Sequence, residues 1–438
     1  MICGLLCQHK TASERMLHHS YVNFQLRKFP IYFVIGLAFL LNSCADEEDP
    51  DDIESLWYEK YLLKVENPDD FVIIEPPHFV PNSQSYPYDY NLRHNSWCHD
   101  MVLYDEENDI INLFYSSASG HGISGVYGVL MFKQRTANGE WSAPVLVGDE
   151  PDYNNFYYSS CCTYDNGKYI ILAKNSIFDD RPLVKLTSTD LISWNKEFVY
   201  QTDSDFLRGD GPCCLTKLSN GRWIFFLRSV ENGSEKPYVC YSDDDMISWA
   251  KVPLEGLVSN FYYPSEGDFY VCEDGEILLI VRGGDTPGTK RYPLLFSSLD
   301  NGQTWSFKKE LVEMDCYSAP VHFLKDVKRN KVVLFYNSRW PVNGMKNVHY
   351  MVTTEDMLKS GQLFGEKTIV GHMADTDIGY CSAVIDKKGL IHLFWYAGSS
   401  VKSYILTTIL QWKDEVSTNN ATRSFQLIDV GGVFNKIE

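Results

Sequence analysis

The run Tyr263-Pro-Ser-Glu266-Gly-Asp-Phe-Tyr-Val-Cys272-Glu-Asp274-Gly275-Glu-Ile-Leu-Leu-Ile-Val-Arg282 decides the fold, together with Leu294-Leu-Phe-Ser-Ser298-Leu-Asp300-Asn-Gly302-Gln-Thr304-Trp305 beyond the next loop. Asp274-Gly275 separates two apolar runs, the strongest short-range signal for a hairpin. A third apolar run follows, and then a polar, Gly-containing turn that ends on Trp305. The segment reads strand, tight turn, strand, loop, strand, polar turn.

The same plan recurs along the chain. Turns at Asn108-Asp109, Asn166-Gly167, Asn220-Gly221, Asp274-Gly275, Asn330 and Gly389 each precede a run such as Ile110-Ile-Asn-Leu-Phe-Tyr115 or Leu390-Ile-His-Leu-Phe-Trp395. From Asp109 through Gly167, Gly221, Gly275, Asn330 and Gly389 the steps are 58, 54, 54, 55 and 59 residues. The aromatic markers Trp141, Trp194, Trp249, Trp305, Phe364 and Trp412 step by 53, 55, 56, 59 and 48. Two markers with one period define six units, each rich in β-branched and aromatic residues. Self-similarity at this period is the signature of a propeller or solenoid. The expected fold is all-β, a six-bladed β-propeller of four-stranded antiparallel blades. Its second strands should lie near 109–116, 168–173, 222–227, 276–281, 331–336 and 390–396.

The repeats override the two or three domains that 438 residues would otherwise allow. Residues 1–43 read as a lipoprotein signal peptide. Arg27 and Lys28 precede the apolar run Phe29–Leu41, which is too short to span a bilayer as a stable helix. Leu41-Asn-Ser-Cys44 resembles a bacterial lipobox, which implies lipid on Cys44 and a protein exported and anchored at the outer membrane, on the cell surface. Residues 44–65 form an acidic tether, with Ser55–Val65 open to a short helix, and residues 66–438 hold the propeller. Phe71-Val-Ile-Ile-Glu75 reads as a strand. A net charge of −19 with no basic tract argues against a nucleic-acid partner.

Of twelve cysteines, Cys3, Cys7 and Cys44 fall in the signal or at the lipid site. The other nine are odd in number and lack a C-x-x-C pair, so they read as small buried hydrophobes rather than a disulfide framework or a metal cluster. No metal and no cofactor is expected.

In a propeller blade the innermost strand leaves the face that carries sites and the second strand returns to it. First-strand starts therefore place His99, Asp100, Tyr158, Asp210, Glu266, Tyr317 and Tyr380 on one face. Second-strand ends add Arg228, Arg282 and Arg339. Carboxylates, tyrosines and arginines at one mouth point to carbohydrate. Glycoside hydrolysis uses two carboxyl groups or a Tyr nucleophile, and arginines offer planar donors to a carboxylate or sulfate on a sugar.

Over roughly residues 95–412 the chain resembles the sialidase superfamily of Asp-box (BNR-repeat) six-bladed propellers. Ser298–Trp305 is a full Asp-box, and Ser188–Trp194 and Ser242–Trp249 are degenerate ones. Ser265-Glu266, followed by Asp274-Gly275 and Arg282, resembles the segment in which a Glu base precedes a hairpin ending on a substrate-binding Arg. Gly379-Tyr380-Cys381-Ser382 resembles the segment of the Tyr nucleophile. The resemblance implies Tyr380 as nucleophile, Glu266 as its base and Arg282 as a substrate contact. The family's Arg in the first strand of blade one is replaced here by Trp97-Cys98-His99-Asp100. Its third Arg falls near Met345-Lys346-Asn347, with Arg339 as the available substitute, and Ser117–Gly125 holds no match for its acid/base Asp. Cys98-His99-Asp100 also resembles the Asp base of five-bladed furanosidase-type hydrolases, in which Asp100, Asp210 and Glu266 would share the work.

The catalytic set is therefore Tyr380, Glu266 and Asp100. The substrate-binding set is Arg282, Arg339, Arg228, His99, Asp210 and Tyr317. The leading expectation is an exported glycoside hydrolase acting exo on an acidic or anionic glycan. A polysaccharide lyase using Tyr and His, and a non-catalytic glycan-binding surface lipoprotein, are the alternatives.

Overall fold

The chain reverses at the turns that punctuate the sequence. The computed structural model describes residues 69–80, 94–96, 101–120, 128–148, 160–174, 183–199, 212–231, 234–254, 265–283, 292–314, 316, 319–342, 345–363, 367–373, 377–398 and 403–415. All of them belong to the unit Leu63–Glu438. The signal, the lipid site Cys44 and the helix expected at Ser55–Val65 lie outside them.

Two strands come before the first blade, β1 (Phe71–Phe79) and β2 (His94–Ser96). Blade one is β3 (Val102–Asp105), β4 (Ile110–Ala118), β5 (Gly128–Arg135) and β6 (Val145–Leu146). Blade two is β7 (Ser160–Asp165), β8 (Lys168–Lys174), β9 (Leu183–Ser188) and β10 (Asn195–Phe198). Blade three is β11 (Cys213–Lys217), β12 (Trp223–Glu231), β13 (Ser234–Ser242) and β14 (Ala250–Pro253). Blade four is β15 (Gly267–Val271), β16 (Ile277–Val281), β17 (Leu294–Ser298) and β18 (Ser306–Glu310). Blade five is β19 (Val321–Asp326), β20 (Lys331–Val342), β21 (Met345–Thr353) and β22 (Lys367–Met373). Blade six begins with β23 (Asp377–Ile385), β24 (Ile391–Gly398) and β25 (Ser403–Trp412).

The protein is an all-β, six-bladed propeller of four-stranded antiparallel blades, and β4, β8, β12, β16, β20 and β24 fall on the expected second strands. Blades three and five carry theirs furthest past the expected ends. Paired residues continue to Glu231↔Ser234 in blade three and to Val342↔Met345 in blade five. Arg228 and Arg339 accordingly lie inside strands rather than at strand ends.

The fourth strand of blade six is β1, which pairs antiparallel with β25 from Phe71↔Trp412 to Phe79↔Leu406. Phe71 is fully buried, with its ring 4.5 Å from Trp412 and 5.0 Å from Tyr350. The Lys413 N–H donates to Asp70 O at 3.0 Å. The Phe71 strand is thus the ring closure, which satisfies an edge that would otherwise be open. Trp412 ends the third strand of its blade and packs against that closing strand. β2 joins the two ends further, pairing parallel with β25 at His94↔Ser403 and antiparallel with β4 at Ser96↔Ser116.

Apolar side chains from adjacent blades pack face to face. Phe226, Val239, Leu279 and Phe296 fill the space between blades three and four, and Leu278, Leu295, Leu334 and Met351 that between four and five. The eight described cysteines are all buried.

The polar turn after β17 explains its own sequence. Ser298 Oγ donates to Asp300 Oδ1 at 2.8 Å and accepts from Gly302 N–H at 2.9 Å. Asp300 also accepts from Thr304 N–H and Thr304 Oγ1. Gly302 has φ 79°, a left-handed value that suits glycine. Trp305 then turns inward, 1% exposed, and donates from Nε1 to Gly302 O at 3.1 Å. Ser188–Trp194 and Ser242–Trp249 close in the same way around Asp190 and Asp244. In blade five a short helix, α1 (Glu355–Ser360), follows the third strand, capped by Thr354 and by Gly361 at φ 67°.

Candidate active site

Glu266 and Arg282 flank the hairpin of β15 and β16. The pairing Gly267↔Val281 places them opposite each other, and Arg282 N–H donates to Glu266 O at 2.8 Å. Directly opposed residues of an antiparallel pair project from the same face. Their side chains meet there: Arg282 Nη1 donates to Glu266 Oε2 at 2.6 Å, with the two side chains 12% and 7% exposed. The same oxygen accepts from Ser265 Oγ at 3.1 Å.

The other carboxylate oxygen is held from blade six. Tyr380 Oη–H donates to Glu266 Oε1 at 2.6 Å, and Tyr380 is 5% exposed. Glu266 is thus an ion-paired carboxylate accepting from a phenol on one oxygen and from a guanidinium and a hydroxyl on the other. A carboxylate offers about four lone-pair sites, enough for all three donors.

The backbone that presents Tyr380 is irregular. β23 breaks register between Gly379↔Tyr396 and Ser382↔Phe394, and inside this bulge Tyr380 has φ 41°. Left-handed φ in a bulky residue costs energy and persists only where its surroundings hold it. Here the bulge re-aims the phenol, a recurrent use of bulges near sites. Gly379 is required beside it: a Cβ there would lie 2.5 Å from Cε1 of the fully buried Tyr396. The Tyr380 and Tyr396 rings are 5.6 Å apart, inclined at 31°.

Neighbouring thiols support this frame. Cys214, itself at φ 50°, donates from Sγ to Gly267 O at 2.9 Å and so ties blade three to the residue after Glu266. Cys381 is fully buried and donates to Asn337 Oδ1 at 3.6 Å; burial raises its thiol well above the ordinary range.

Of the residues expected at the mouth, the structure brings Glu266, Arg282 and Tyr380 together. Arg228 lies on β12 opposite Pro237, and Arg339 lies on β20 in the stretch where register breaks between Ser338 and Val342. His99, Asp100, Tyr158, Asp210 and Tyr317 lie outside the described residues. Ser265, Gly379 and Cys214 were missed by residue-type reasoning. A Ser beside a candidate base and a Gly beside a candidate nucleophile were the available signals.

One group of metal-type donors occurs among the described residues, Cys272, Asp274 and Glu355. Lys359 Nζ occupies it, 2.7 Å from Asp274 and 3.4 Å from Glu355. Burial, and then the Glu355 charge, push the Cys272 thiol up to about 12, so it offers a thiol rather than the thiolate that metals bind. The group fits a lysine-bridged surface network.

No family model and no curated protein matches this chain. Solved structures do. A protein of unknown function from Dyadobacter fermentans is 15% identical with a TM-score of 0.61, over 79% of this chain and 100% of that one. The phage phi92 endosialidase is 10% identical with a TM-score of 0.58, over 79% of this chain and 70% of that one. The Trypanosoma rangeli sialidase in complex with the inhibitor DANA is 12% identical with a TM-score of 0.55, over 77% of this chain and 60% of that one. The fold is that of a sialidase-like propeller.

Proposed function

We propose that this protein is an exported glycoside hydrolase acting exo on an acidic or anionic glycan, with Tyr380 as nucleophile and Glu266 as its base. The observation that carries this reading is the 2.6 Å hydrogen bond from the Tyr380 phenol to Glu266 Oε1. A free phenol has a pKa of about 10, so forming the phenolate at pH 7 costs roughly 4 kcal/mol. A nucleophilic Tyr therefore needs a base within hydrogen-bond reach and a cation nearby. Glu266 is that base, and Arg282 on its far oxygen is that cation.

In the first step the Tyr380 oxygen attacks the anomeric carbon, and its proton passes to Glu266 Oε1. The glycosidic bond breaks as an acid protonates the leaving oxygen; Asp100, at the start of blade one, is the candidate. In the second step water attacks the anomeric carbon, Asp100 takes the water's proton, and the phenol oxygen leaves and recovers its proton from Glu266. Arg282, with Arg339, Arg228, His99, Asp210 and Tyr317 as further contacts, would receive the anionic group of the sugar. The sialidase-like fold supports a glycan as partner, and the arginines support its negative charge. Lipid on Cys44 would hold the enzyme at the outer membrane. Mass spectrometry of the mature N-terminus tests that anchor, and an unmodified terminus elsewhere would remove it.

The purified protein should turn over an acidic glycan in a glycan screen. A fluorinated glycosyl fluoride should leave a covalent adduct on the peptide that contains Tyr380. Tight glycan retention without turnover, unchanged by Glu266→Gln, would make the protein a binding module. An unsaturated uronate product would make it a lyase.

A further inference from the structure

Glu266 is in blade four and Tyr380 in blade six, so their hydrogen bond skips blade five. Directly behind them, a buried polar chain crosses that gap. Asp268 stands two residues after Glu266 on β15, His322 lies on β19, and Ala383 stands three residues after Tyr380 on β23. Asp268 and His322 are 3% and 5% exposed. Asp268 Oδ1 accepts from Phe269 N–H and Oδ2 from Phe323 N–H, both at 2.8 Å, so this carboxylate grips the inner strands of blades four and five. His322 Nδ1 lies 3.2 Å from Asp268 Oδ2. His322 Nε2 lies 3.3 Å from Ala383 O, an acceptor, so Nε2 carries a hydrogen and donates to blade six.

We propose that Asp268 and His322 are positioning residues that set the separation of Tyr380 and Glu266. Apolar blade faces adhere without fixing direction, whereas charged and hydrogen-bonded contacts have preferred geometry. Burying a carboxylate and an imidazole is costly unless they are paired. Here that cost falls in the layer beneath the phenol and its base, where a shift of about 1 Å can cost on the order of a hundredfold in rate. Cys214 holds Gly267 from blade three, so the main chain beside Glu266 is fixed from both neighbouring blades. The proposal rests on Tyr380 and Glu266 being the reacting pair, and its test needs no turnover.

With 3-fluorotyrosine placed at position 380 in the full chain, the ¹⁹F resonance reads the hydrogen bond of the phenol directly. Glu266→Gln calibrates the shift produced by weakening that bond. His322→Phe and Asp268→Asn should move the resonance in the same direction. His322→Gln, whose amide can still donate toward Ala383 O, should lie between His322→Phe and the wild type. A brace with only a structural role would lower thermal stability and leave the resonance at its wild-type position. That result, with Glu266→Gln moving the resonance, would overturn the proposal while leaving the reacting pair intact. A resonance that Glu266→Gln does not move would remove the pair itself and the proposal with it. Should His322→Phe fail to fold, His322→Gln and Asp268→Asn decide by the same criterion.

Discussion

The Tyr380 hydroxyl and the Glu266 carboxylate, 114 residues apart in sequence, meet at 2.6 Å. The opposite oxygen of that carboxylate takes Arg282 at the same distance. A phenol, a base and a cation are thereby joined through one side chain. Arg282 is the ion-pair partner of Glu266. It also leaves a positive charge beside the site where phenolate charge would develop.

On the proposed mechanism, Tyr380→Phe removes the nucleophile and Glu266→Gln removes its base. General acid–base contributions run to about 10²–10⁴-fold, so Glu266→Gln should lose at least a hundredfold in kcat, and Tyr380→Phe should form no adduct. Turnover and intact-mass measurements on an acidic fluorogenic glycoside check both. Full activity in Tyr380→Phe would move the chemistry to Asp100, Asp210 and Glu266.

Arg282→Ala strips the ion-pair partner from a carboxylate that is only 7% exposed. Breaking a buried pair from one side costs about 3–5 kcal/mol. Urea unfolding should show a loss of that order, and the double variant Arg282→Met with Glu266→Leu should be less destabilised than Arg282→Ala. Losses that simply add would show that the pair is not coupled in the folded protein.

Phe71→Ala should loosen the ring at its seam. Phe71 is fully buried against Trp412 and Tyr350, and such truncations cost about 3–5 kcal/mol. Tryptophan emission and hydrogen exchange should report faster opening in β25 and β1 than in blades two to four. Uniform protection around the ring would argue against closure through this strand.

The turn aspartates predict an acid dependence. Ser193 and Ile192 N–H groups hold the Asp190 carboxyl down at about 2, and the Ser248 hydroxyl and N–H hold that of Asp244 there too. A carboxyl depressed on folding contributes stability that is present above its unfolded pKa of about 4. That contribution is lost as pH falls through about 2. Asp190→Asn and Asp244→Asn should lower the melting temperature at neutral pH, and the gap from wild type should narrow between pH 4 and pH 2. A gap independent of pH would show that the ionised form is not what these turns recognise.

The sequence by itself determined the number of blades, the places of their second strands and the shared face of Glu266, Arg282 and Tyr380. These follow from local chemistry. Asp-Gly and Asn-Gly turns set hairpins, the Ser-x-Asp turns close on their own side chains, and the two-residue period of a strand assigns faces. The helix in blade five carries local signals too, in the Thr354 and Gly361 caps. Only the tertiary structure decided that Phe71–Phe79 completes blade six, because nothing local in a strand names a partner more than 300 residues away. It alone ran β12 and β20 past their expected ends, which moved Arg228 and Arg339 inside strands. The tilt of Tyr380 in a left-handed bulge, and the Asp268–His322 chain beneath it, likewise belong to the closed ring. A ring fixes which blades face each other across the axis, and contacts between them depend on that closure and not on neighbours in sequence.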